Sequence, residues 1–170
     1  MRLEERLIRE IPHLRRFARS LTRDAADADD LVQSVLERAL GRLQLLRKPS
    51  SLRSWLFRIT YNLHINERIR QRRVPIPMDP SDPALDLAVA PDQLEGLEAQ
   101  GVVDALYLLP EDQRAAIILT AIEELSYKEA ASVLDIPIGT LMSRLYRGRL
   151  RLRELTDGVD RGPTVLRRVK

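Results

Sequence analysis

The sequence contains no cysteine, so it can form neither a disulfide bond nor a thiolate metal site. It also has no run approaching the ~20 apolar residues that a membrane-spanning helix needs. Its N-terminus, MRLEERLIRE, mixes charged and apolar residues where a signal peptide has an unbroken apolar core. These absences predict a cytoplasmic protein that does not insert into a membrane.

Signatures of catalysis are missing as well. There is no glycine-rich phosphate-binding loop, and no nucleophile stands beside a recognisable base. His13 and His64 lie on separate predicted helices without a convincing cluster of metal ligands around them. We therefore expect no enzymatic activity, no metal site and no cofactor.

Basic residues are abundant but unevenly distributed. Residues 1–74 carry 17 basic and 9 acidic groups, whereas residues 75–100 carry 6 acidic groups and no basic one. Residues 101–125 have 5 acidic groups and 1 basic group, and residues 126–170 have 10 basic and 5 acidic groups. Two basic blocks thus flank an acidic middle. This pattern fits either solvated helix surfaces or two polyanion-binding surfaces joined by a segment that avoids DNA.

Apolar periodicity predicts three helices in the first 73 residues. One runs from Leu3 to Leu21, although Pro12 is expected to break or kink it. A second runs from Asp27 to Leu43. The loop LRKPSS follows, and Ser51 can cap a third helix. The apolar positions of the third helix follow helical spacing: Leu52, Trp55, Leu56, Ile59 and Leu63.

The pattern then changes to an extended linker. VPIPMDPSDPALDLAVAP, residues 74–91, has five prolines and three aspartates without periodicity. Helicity resumes near Asp92, stops before Pro110 and restarts after it. The sequence therefore predicts an all-α protein. We expect a three-helix domain over residues 1–73, an acidic Pro/Asp-rich linker over 74–91, a second helical domain over 92–158 and a basic tail over 159–170.

The second domain contains a predicted helix-turn-helix. SYKE is a capping box in which Ser126 is the N-cap and Glu129 stands three residues later. Asp135 and Ile136 form the turn, and Pro137 suits the first turn of the next helix. A helix-turn-helix places its second helix in the major groove of DNA.

A helical wheel of this last helix separates a packing face from a polar face between two basic flanks. The packing face consists of Leu141, Leu145, Gly148 and Leu152. The polar face consists of Ser143, Tyr146 and Arg147. One flank has Arg144 and Arg151, and the other has Arg149 and Arg153. This geometry favours DNA binding over a helical hairpin with a solvated arginine face. Leu150 lies near the exposed side, where it contacts a thymine methyl group or a partner protein, or is a tolerated surface leucine.

These motifs resemble a known family. LPEDQRAAIILTAIEELSYKEAASVLDIPIGTLMSRLYRGRLRLREL resembles region 4 of bacterial extracytoplasmic-function sigma factors. DADDLVQSVLERAL and LRSWLFRITYNLHINERIRQRR resemble their region 2. The resemblance covers nearly all of residues 10–157. It implies an alternative sigma factor that binds core RNA polymerase and promoter DNA and serves a stress-response regulon. The apolar helical faces of the two thin domains could clamp around a partner helix, and we therefore also expect an anti-sigma factor that holds the protein inactive.

The resemblance also implies which residues contact polymerase and the downstream, minus ten, promoter element. The polymerase surface would include Asp30, Gln33, Glu37 and Arg38. A protein that melts DNA must trap extruded bases with stacking surfaces and cations. The residues that match this role are Lys48, Arg58, Tyr61, Asn62, Asn66, Arg68 and Arg72. The wheel groups Phe57, Tyr61, His64, Ile65 and Arg68 opposite the Trp55 stripe. It leaves open whether Phe57 and Tyr61 stack on bases or pack on the first helix.

At the upstream, minus thirty-five, element the resemblance implies contacts from Ser126, Lys128, Thr140, Met142, Ser143, Arg144, Tyr146, Arg147 and Arg149. Two departures from the family pattern stand out. Met142 occupies a place that is often basic, so one polar contact is expected to be lost. Asp135 stands where glycine is common, and aspartate tolerates a left-handed backbone better than most residues.

Two other functions remain open from the sequence. One is a helix-turn-helix regulator that acts without polymerase, which would have no use for the DADDLVQSVLERAL surface. The other is a sigma-mimicking adaptor that sequesters an anti-sigma protein and never touches a promoter. Co-purification with core polymerase distinguishes the first, and promoter binding together with core enzyme distinguishes the second.

Overall fold

The structure is a computed structural model that describes residues 3–46, 51–73 and 97–160. Every α-helix in these stretches belongs to one of two groups, which confirms the predicted all-α class with two helical domains. The predicted linker, residues 47–50 of the LRKPSS loop and residues 161–170 lie outside the described residues. Within the described stretches, no helix combines the length and apolarity needed to cross a lipid bilayer.

The first domain consists of α1 (Leu3–Thr22), α2 (Ala25–Leu40) and α3 (Leu52–Arg73). The Asp24 side chain caps α2 by accepting a hydrogen bond from the backbone N–H of Asp27 at 2.9 Å. The apolar faces of the three helices meet in one core, whose buried members include Leu7, Leu14, Phe17, Val32, Val35, Leu52, Leu56 and Phe57. Burying these faces is what holds three short helices together.

The predicted break of α1 at Pro12 is wrong, because the helix runs from Leu3 to Thr22, whereas a kink at Pro12 stays a prediction. Proline at this position removes the hydrogen bond to the carbonyl of Ile8 and crowds that carbonyl with its ring. Pro12 is exposed and Ile8 is 64% exposed, so water can reach this side of the helix. Leu14 and Phe17 are buried on the opposite side. Packing of the apolar face therefore outweighs the local cost of the proline.

The second domain consists of α4 (Leu97–Leu108), α5 (Glu111–Ile117), α6 (Tyr127–Leu134) and α7 (Ile138–Asp160). A π-helical turn, Ile118–Ile122, extends α5. Pro110 separates α4 from α5, as the sequence predicts. The buried side chains of this domain include Leu109, Ala116, Leu119, Leu134, Leu141 and Leu145.

Gly148 lies at a close approach between α7 and α5. A Cβ atom added at this position would lie 2.8 Å from Cδ1 of Ile117 and 3.2 Å from Cβ of Gln113. Both distances are shorter than ordinary van der Waals contact between carbon atoms. The missing side chain therefore allows α7 to pack closely on α5 and fixes which face of α7 points outward.

Replacing Gly148 by valine should destabilise the protein by about 1–3 kcal/mol, because the added side chain overpacks this contact. Thermal unfolding followed by circular dichroism measures the effect. Gly139→Val is the matched control, since a Cβ at Gly139 has nothing within 4 Å. Equal stability of the two variants would contradict the close approach.

The two domains pack against each other, α3 on α6 and α1 on α5. Arg114 of α5 is only 1% exposed and lies in this interface. Its Nε donates to the carbonyl of Ser20 at 2.6 Å, and its Nη1 donates to the carbonyl of Leu109 at 2.8 Å. The Tyr107 ring centroid lies 5.7 Å from the guanidinium carbon. Burial lowers the pKa of Arg114 to about 10, so the side chain remains charged at neutral pH.

Candidate nucleic-acid interface

Helices α6 and α7 form the predicted helix-turn-helix. The Ser126 side chain accepts a hydrogen bond from the N–H of Glu129 at 3.3 Å, and the Glu129 carboxylate accepts one from the N–H of Ser126 at 3.0 Å. This confirms the capping box. Asp135 ends α6 with a φ of 53°, the left-handed conformation expected at this position. The reversal of direction is therefore encoded in a few local residues.

The outward face of α7 is the one predicted from the helical wheel. Leu141 and Leu145 are buried in the domain core, and Gly148 faces α5. Tyr146 on the opposite side is 70% exposed. The other predicted upstream-element residues exposed on this helix are Met142, Ser143, Arg147 and Arg149. The outward face of α7 is therefore a continuous surface of polar and apolar side chains. This is the face that a recognition helix turns toward DNA.

The remaining residues predicted for the upstream element lie at the edge of this outward face of α7. Thr140 is partly buried near the start of α7, and Lys128 is exposed on the first turn of α6. Ser126 is exposed too, but its hydroxyl donates to the Glu129 carboxylate at 2.6 Å as part of the cap. Ser126 therefore contributes to the start of α6, and a DNA contact from it stays a prediction.

Arg144 does not lie with the other predicted DNA-binding residues. Its Nε is 3.3 Å from Oδ2 of Asp112 on α5, and its side chain is only 20% exposed. The wheel assigned Arg144 to an exposed flank because it takes no account of the neighbouring helix. In this arrangement Arg144 lies between the domains, and its guanidinium acts on the hydroxyl of Tyr61 on α3, whose pKa it lowers in opposition to burial.

A second candidate surface lies on α3. Arg58, Asn62 and Asn66 are exposed, and Tyr61 is half-buried beside them. Burial raises the pKa of the Tyr61 hydroxyl above its usual value, despite the nearby Arg144 guanidinium. The aromatic ring, two amides and a cation are the chemical groups that hold separated bases.

Phe57 does not belong to this second surface. It is fully buried, and its ring meets the Phe17 ring of α1 edge-on with a centroid distance of 5.2 Å. Of the two possibilities that the sequence left open, packing on the first helix is correct for Phe57. His64 is also buried and so is not part of a surface for bases.

The end of α6 closes over the α3 surface. Tyr61, Asn62 and Asn66 line a cleft of about 480 Å³ whose other wall includes Leu134 and Asp135 of the helix-turn-helix. The residues predicted to hold the melted strand therefore face the second domain in this arrangement.

The other three residues predicted for the downstream element are Arg68, Arg72 and Lys48. Arg68 Nη1 donates to the Glu111 carboxylate at 2.7 Å, although the Arg68 side chain stays 41% exposed. Arg72 lies in the last turn of α3, but its side chain is outside the described residues. Lys48 lies outside them entirely. Their contacts with DNA stay predictions.

The predicted polymerase surface is a continuous exposed face of α2. Asp30, Gln33, Glu37 and Arg38 all point away from the buried residues Val32 and Val35. Gln33 Nε2 donates to Glu37 Oε1 at 3.1 Å across one helical turn. These side chains are therefore available to a partner in this arrangement.

Ionic contacts that join the two domains were not predicted from the sequence. Glu123, just after the π-helical turn, is buried and accepts a hydrogen bond from Arg16 Nε of α1 at 2.6 Å. Its other carboxylate oxygen is 2.7 Å from Nδ1 of His13. The opposite ring nitrogen of His13 is 3.2 Å from Nη2 of Arg53, and Nη2 of Arg16 lies 3.0 Å from Nδ1.

Both histidines thus face carboxylates across the domain interface. His64 Nε2 is 3.1 Å from Oε1 of Glu111, and His13 contacts Glu123. In the part of the chain that the structure describes, no three histidine or acidic side chains converge as metal ligands would. The histidines take part in holding the domains together.

Glu111 should make the domain contact sensitive to acid. Its burial would raise its pKa, but hydrogen bonds and charge from His64 and Arg68 hold the pKa below its usual value of 4.5. A lowered carboxyl pKa stabilises the folded form above 4.5, and this contribution disappears as pH falls through the lower value. We expect the radius of gyration from X-ray scattering to rise as pH is lowered through this range.

Glu111→Gln is the control for acid sensitivity, since the amide cannot titrate. Its radius of gyration should change less over the same range than that of the unchanged protein. An identical profile for both proteins would show that Glu111 does not link pH to domain contact.

Two family models match the chain. The sigma2 domain of PhyR matches residues 7–61, and sigma-70 region 4 matches residues 100–152. The first match covers most of the three-helix domain and the second covers most of the helix-turn-helix domain. Their order along the chain agrees with the two groups of helices.

Similar proteins extend over most of the chain. ECF RNA polymerase sigma factor EcfG of Rhodopseudomonas palustris (strain TIE-1) is 39% identical over 164 residues, which are 95% of this chain and 90% of that protein. ECF RNA polymerase sigma-E factor of Escherichia coli (strain K12) is 35% identical over 136 residues, covering 74% of this chain and 71% of that protein.

A solved structure has a similar fold. It contains the sigma factor RpoE in complex with the anti-sigma factor NepR from Bartonella quintana. The TM-score is 0.74 at 35% sequence identity, and the match covers 91% of this chain and 96% of that chain. The likeness therefore includes both domains and not only one of them.

Proposed function

Because this chain belongs to the extracytoplasmic-function (ECF) family of RNA polymerase sigma factors, we propose that it binds core RNA polymerase and directs promoter recognition and transcription initiation. The observation that carries the proposal is the exposed face of α7 on a helix-turn-helix scaffold. Ser143, Tyr146 and Arg147 point outward there while the opposite face packs in the core. In this function α7 enters the major groove of the upstream element.

The downstream element would be held as a separated strand on α3. Tyr61 offers a stacking surface, and Asn62 and Asn66 offer donors and acceptors to exposed base edges. Arg58 and Arg68 supply positive charge along the strand. Because Leu134 and Asp135 form the opposite wall of this cleft, we expect the two domains to separate when the strand binds.

The exposed face of α2 is proposed to dock on core polymerase. A charge reversal, Glu37→Lys, should weaken binding to purified core enzyme by about 1 kcal/mol or more, since it places a repelling charge within the interface. Fluorescence anisotropy of the labelled chain titrated with core enzyme measures the change. Glu37 is exposed, so the fold should be unaffected.

Glu4→Lys on α1 is the matched control for this titration, because it makes the same charge change at an exposed site away from α2. Its affinity should equal that of the unchanged chain. Equal affinities of Glu37→Lys and Glu4→Lys for core enzyme would show that Glu37 is not part of the polymerase-binding surface.

The domain boundaries inferred from the sequence are part of the same proposal. Residues 1–73 would form the region 2 domain, and residues 92–158 the region 4 domain. The acidic linker, residues 74–91, would join them, and residues 159–170 would form a basic tail. Limited proteolysis of the full chain, with the fragments identified by mass, should cut first within the linker.

We further propose that an anti-sigma factor holds this chain inactive until a stress signal releases it. Support comes from the similar sigma factor RpoE, whose solved structure is a complex with the anti-sigma factor NepR. Affinity purification of the tagged chain from unstressed cells should recover a small partner that is lost on stress. Recovery of core polymerase alone under both conditions would argue against this partner.

In vitro transcription tests the central proposal. The full chain and purified core enzyme should together give promoter-dependent transcripts from a genomic library that core enzyme alone does not give. A regulator that acts without polymerase would bind DNA but would not co-purify with core enzyme. A sigma-mimicking adaptor would bind an anti-sigma factor and yield no transcripts.

A further inference from the structure

Three apolar side chains form an exposed row along α7. Met142, Tyr146 and Leu150 follow one another at intervals of four residues, so they lie on one side of the helix. They are 52%, 70% and 47% exposed, respectively. Single apolar side chains at a surface are ordinary, but a continuous row of them indicates a surface that contacts something. We refer to these three side chains as the apolar row.

The apolar row borders a groove on the outer side of the helix-turn-helix. The groove has a volume of about 370 Å³ and is also lined by Tyr127 of α6 and, at its base, by the buried Leu145. Arg149 and Arg153 line it as well. The surface therefore combines apolar contact area with positive charge within one turn of helix.

Cations lie on both sides of the apolar row. Arg149 and Arg153 follow one side, and Arg151 follows the other, all of them exposed. The major groove of duplex DNA has the complementary arrangement, with base edges in the centre and a phosphate backbone along each side. A partner with negative charge on both edges and apolar groups in its centre thus fits this surface.

The composition of α7 limits which base edges it can read. Between Ile138 and Arg153 the helix contains no asparagine, glutamine, aspartate or glutamate. Bidentate readers of adenine and acidic acceptors for cytosine are therefore absent from it. The Ser143 hydroxyl donates to the carbonyl of Gly139 at 3.1 Å, and Arg147 Nε donates to the carbonyl of Ser143 at 3.3 Å. The base contacts that remain for α7 are those of arginine with guanine and those of apolar side chains with thymine.

We propose that the apolar row reads the C5-methyl groups of thymines in the upstream promoter element. This inference rests on the proposed role of α7 in promoter recognition and names the chemical group that it recognises. The thymine methyl group is the apolar feature that base edges present in the major groove. Met142 and Leu150 offer flexible aliphatic contacts at the two ends of the row, and the Tyr146 ring lies between them.

The first experiment selects the preferred sequence with and without methyl groups. Holoenzyme is assembled from the full chain and core polymerase, and assembly is verified before selection. It is then offered duplexes with a fixed downstream element and a randomised upstream block of about one helical turn, about 10 base pairs. One pool contains thymine in this block, and the other contains deoxyuridine, which pairs identically but lacks the methyl group. Thymine positions enriched in the first pool should lose enrichment in the second.

The second experiment assigns the lost contact to the apolar row. In the selected duplex, each enriched thymine is replaced singly by deoxyuridine. The expected loss is about fourfold in affinity per methyl group, the ratio that corresponds to ~0.8 kcal/mol at 1.4 kcal/mol per tenfold. For Met142→Ala, one of these positions should become insensitive to the replacement. Ile8→Ala, an equally exposed apolar position on α1, should retain full sensitivity.

The outcomes separate this inference from the function on which it rests. If the thymine pool enriches a sequence and the deoxyuridine pool enriches the same one equally, methyl readout is overturned and promoter recognition stands. If holoenzyme assembles and neither pool enriches any sequence, α7 does not recognise the upstream element. The proposed role of α7 and the methyl readout are then both overturned. If Met142→Ala retains thymine sensitivity but loses a bound protein partner, the apolar row is a protein-binding surface and the inference is overturned.

Discussion

Arg114→Ala should lower the free energy of unfolding by about 3–5 kcal/mol, because it removes a buried guanidinium that joins the two domains. The carbonyls of Ser20 and Leu109 would each lose a charged donor. The shortened side chain would also leave a void beside Tyr107. Urea unfolding of the full chain, followed by circular dichroism, measures the loss.

Two further variants separate the role of Arg114 from a general effect of losing positive charge. Arg151→Ala removes an exposed arginine from α7 and should change stability by no more than about 0.5 kcal/mol. Arg114→Lys keeps the charge but cannot reproduce the planar set of donors, so it should remain clearly destabilised. If Arg114→Ala were as stable as Arg151→Ala, the buried contacts described here would contribute nothing.

Arg147→Ala should weaken binding of holoenzyme to its upstream promoter element by about 1–3 kcal/mol, the range expected for an arginine that contacts a base edge. Arg147 is exposed at the centre of the polar face of α7. Its removal should therefore leave the melting temperature of the protein nearly unchanged. Titration of a labelled upstream duplex with holoenzyme, at one fixed salt concentration, measures the affinity.

Arg144→Ala is the informative comparison, since the two arginines lie only one helical turn apart on α7. Arg144 contacts Asp112 rather than solvent, so its loss should lower stability with less effect on DNA affinity. A variant of Arg144 that loses DNA affinity as strongly as Arg147→Ala would show that Arg144 leaves Asp112 when DNA binds. In that case Arg144 would belong to the DNA-facing flank of α7, as the helical wheel predicted.

The helix-turn-helix was predictable because its determinants are local. The capping box joins Ser126 and Glu129, which are three residues apart, and the turn depends on Asp135 adopting one left-handed conformation. The packing face of α7 follows from a regular spacing of leucines. Such features need only a few neighbouring residues, so a single sequence contains the information to identify them.

Errors arose where a distant part of the chain decides the outcome. Pro12 was expected to interrupt α1, but the packing of Leu14 and Phe17 holds the helix through it. Phe57 could not be assigned from its own helix, since its surroundings depend on the Phe17 ring 40 positions earlier in the chain. Arg144 depends on Asp112 of another helix in the same way. Periodicity identifies a face of a helix but not what covers it.

The contacts between domains were invisible for the same reason. His13 and Glu123 are separated by 110 positions, and no spacing rule relates them. A carboxylate within the apolar run AIILTAIEEL is a weak sign that Glu123 is buried, but it does not identify the partner of that carboxylate. The composition of residues 74–91 suggested only that the domains are joined by an extended segment, which leaves their contact undetermined.

The contact between α3 and the end of α6 has a quantitative consequence for every ligand that needs these helices apart. Such a ligand binds only the separated fraction of molecules, so its apparent dissociation constant is the intrinsic constant divided by that fraction. With about one molecule in a hundred separated, the apparent affinity falls about a hundredfold. Substitutions at Glu111 or Glu123 would then change the strength of all promoters by one common factor, without altering the order of preference among them.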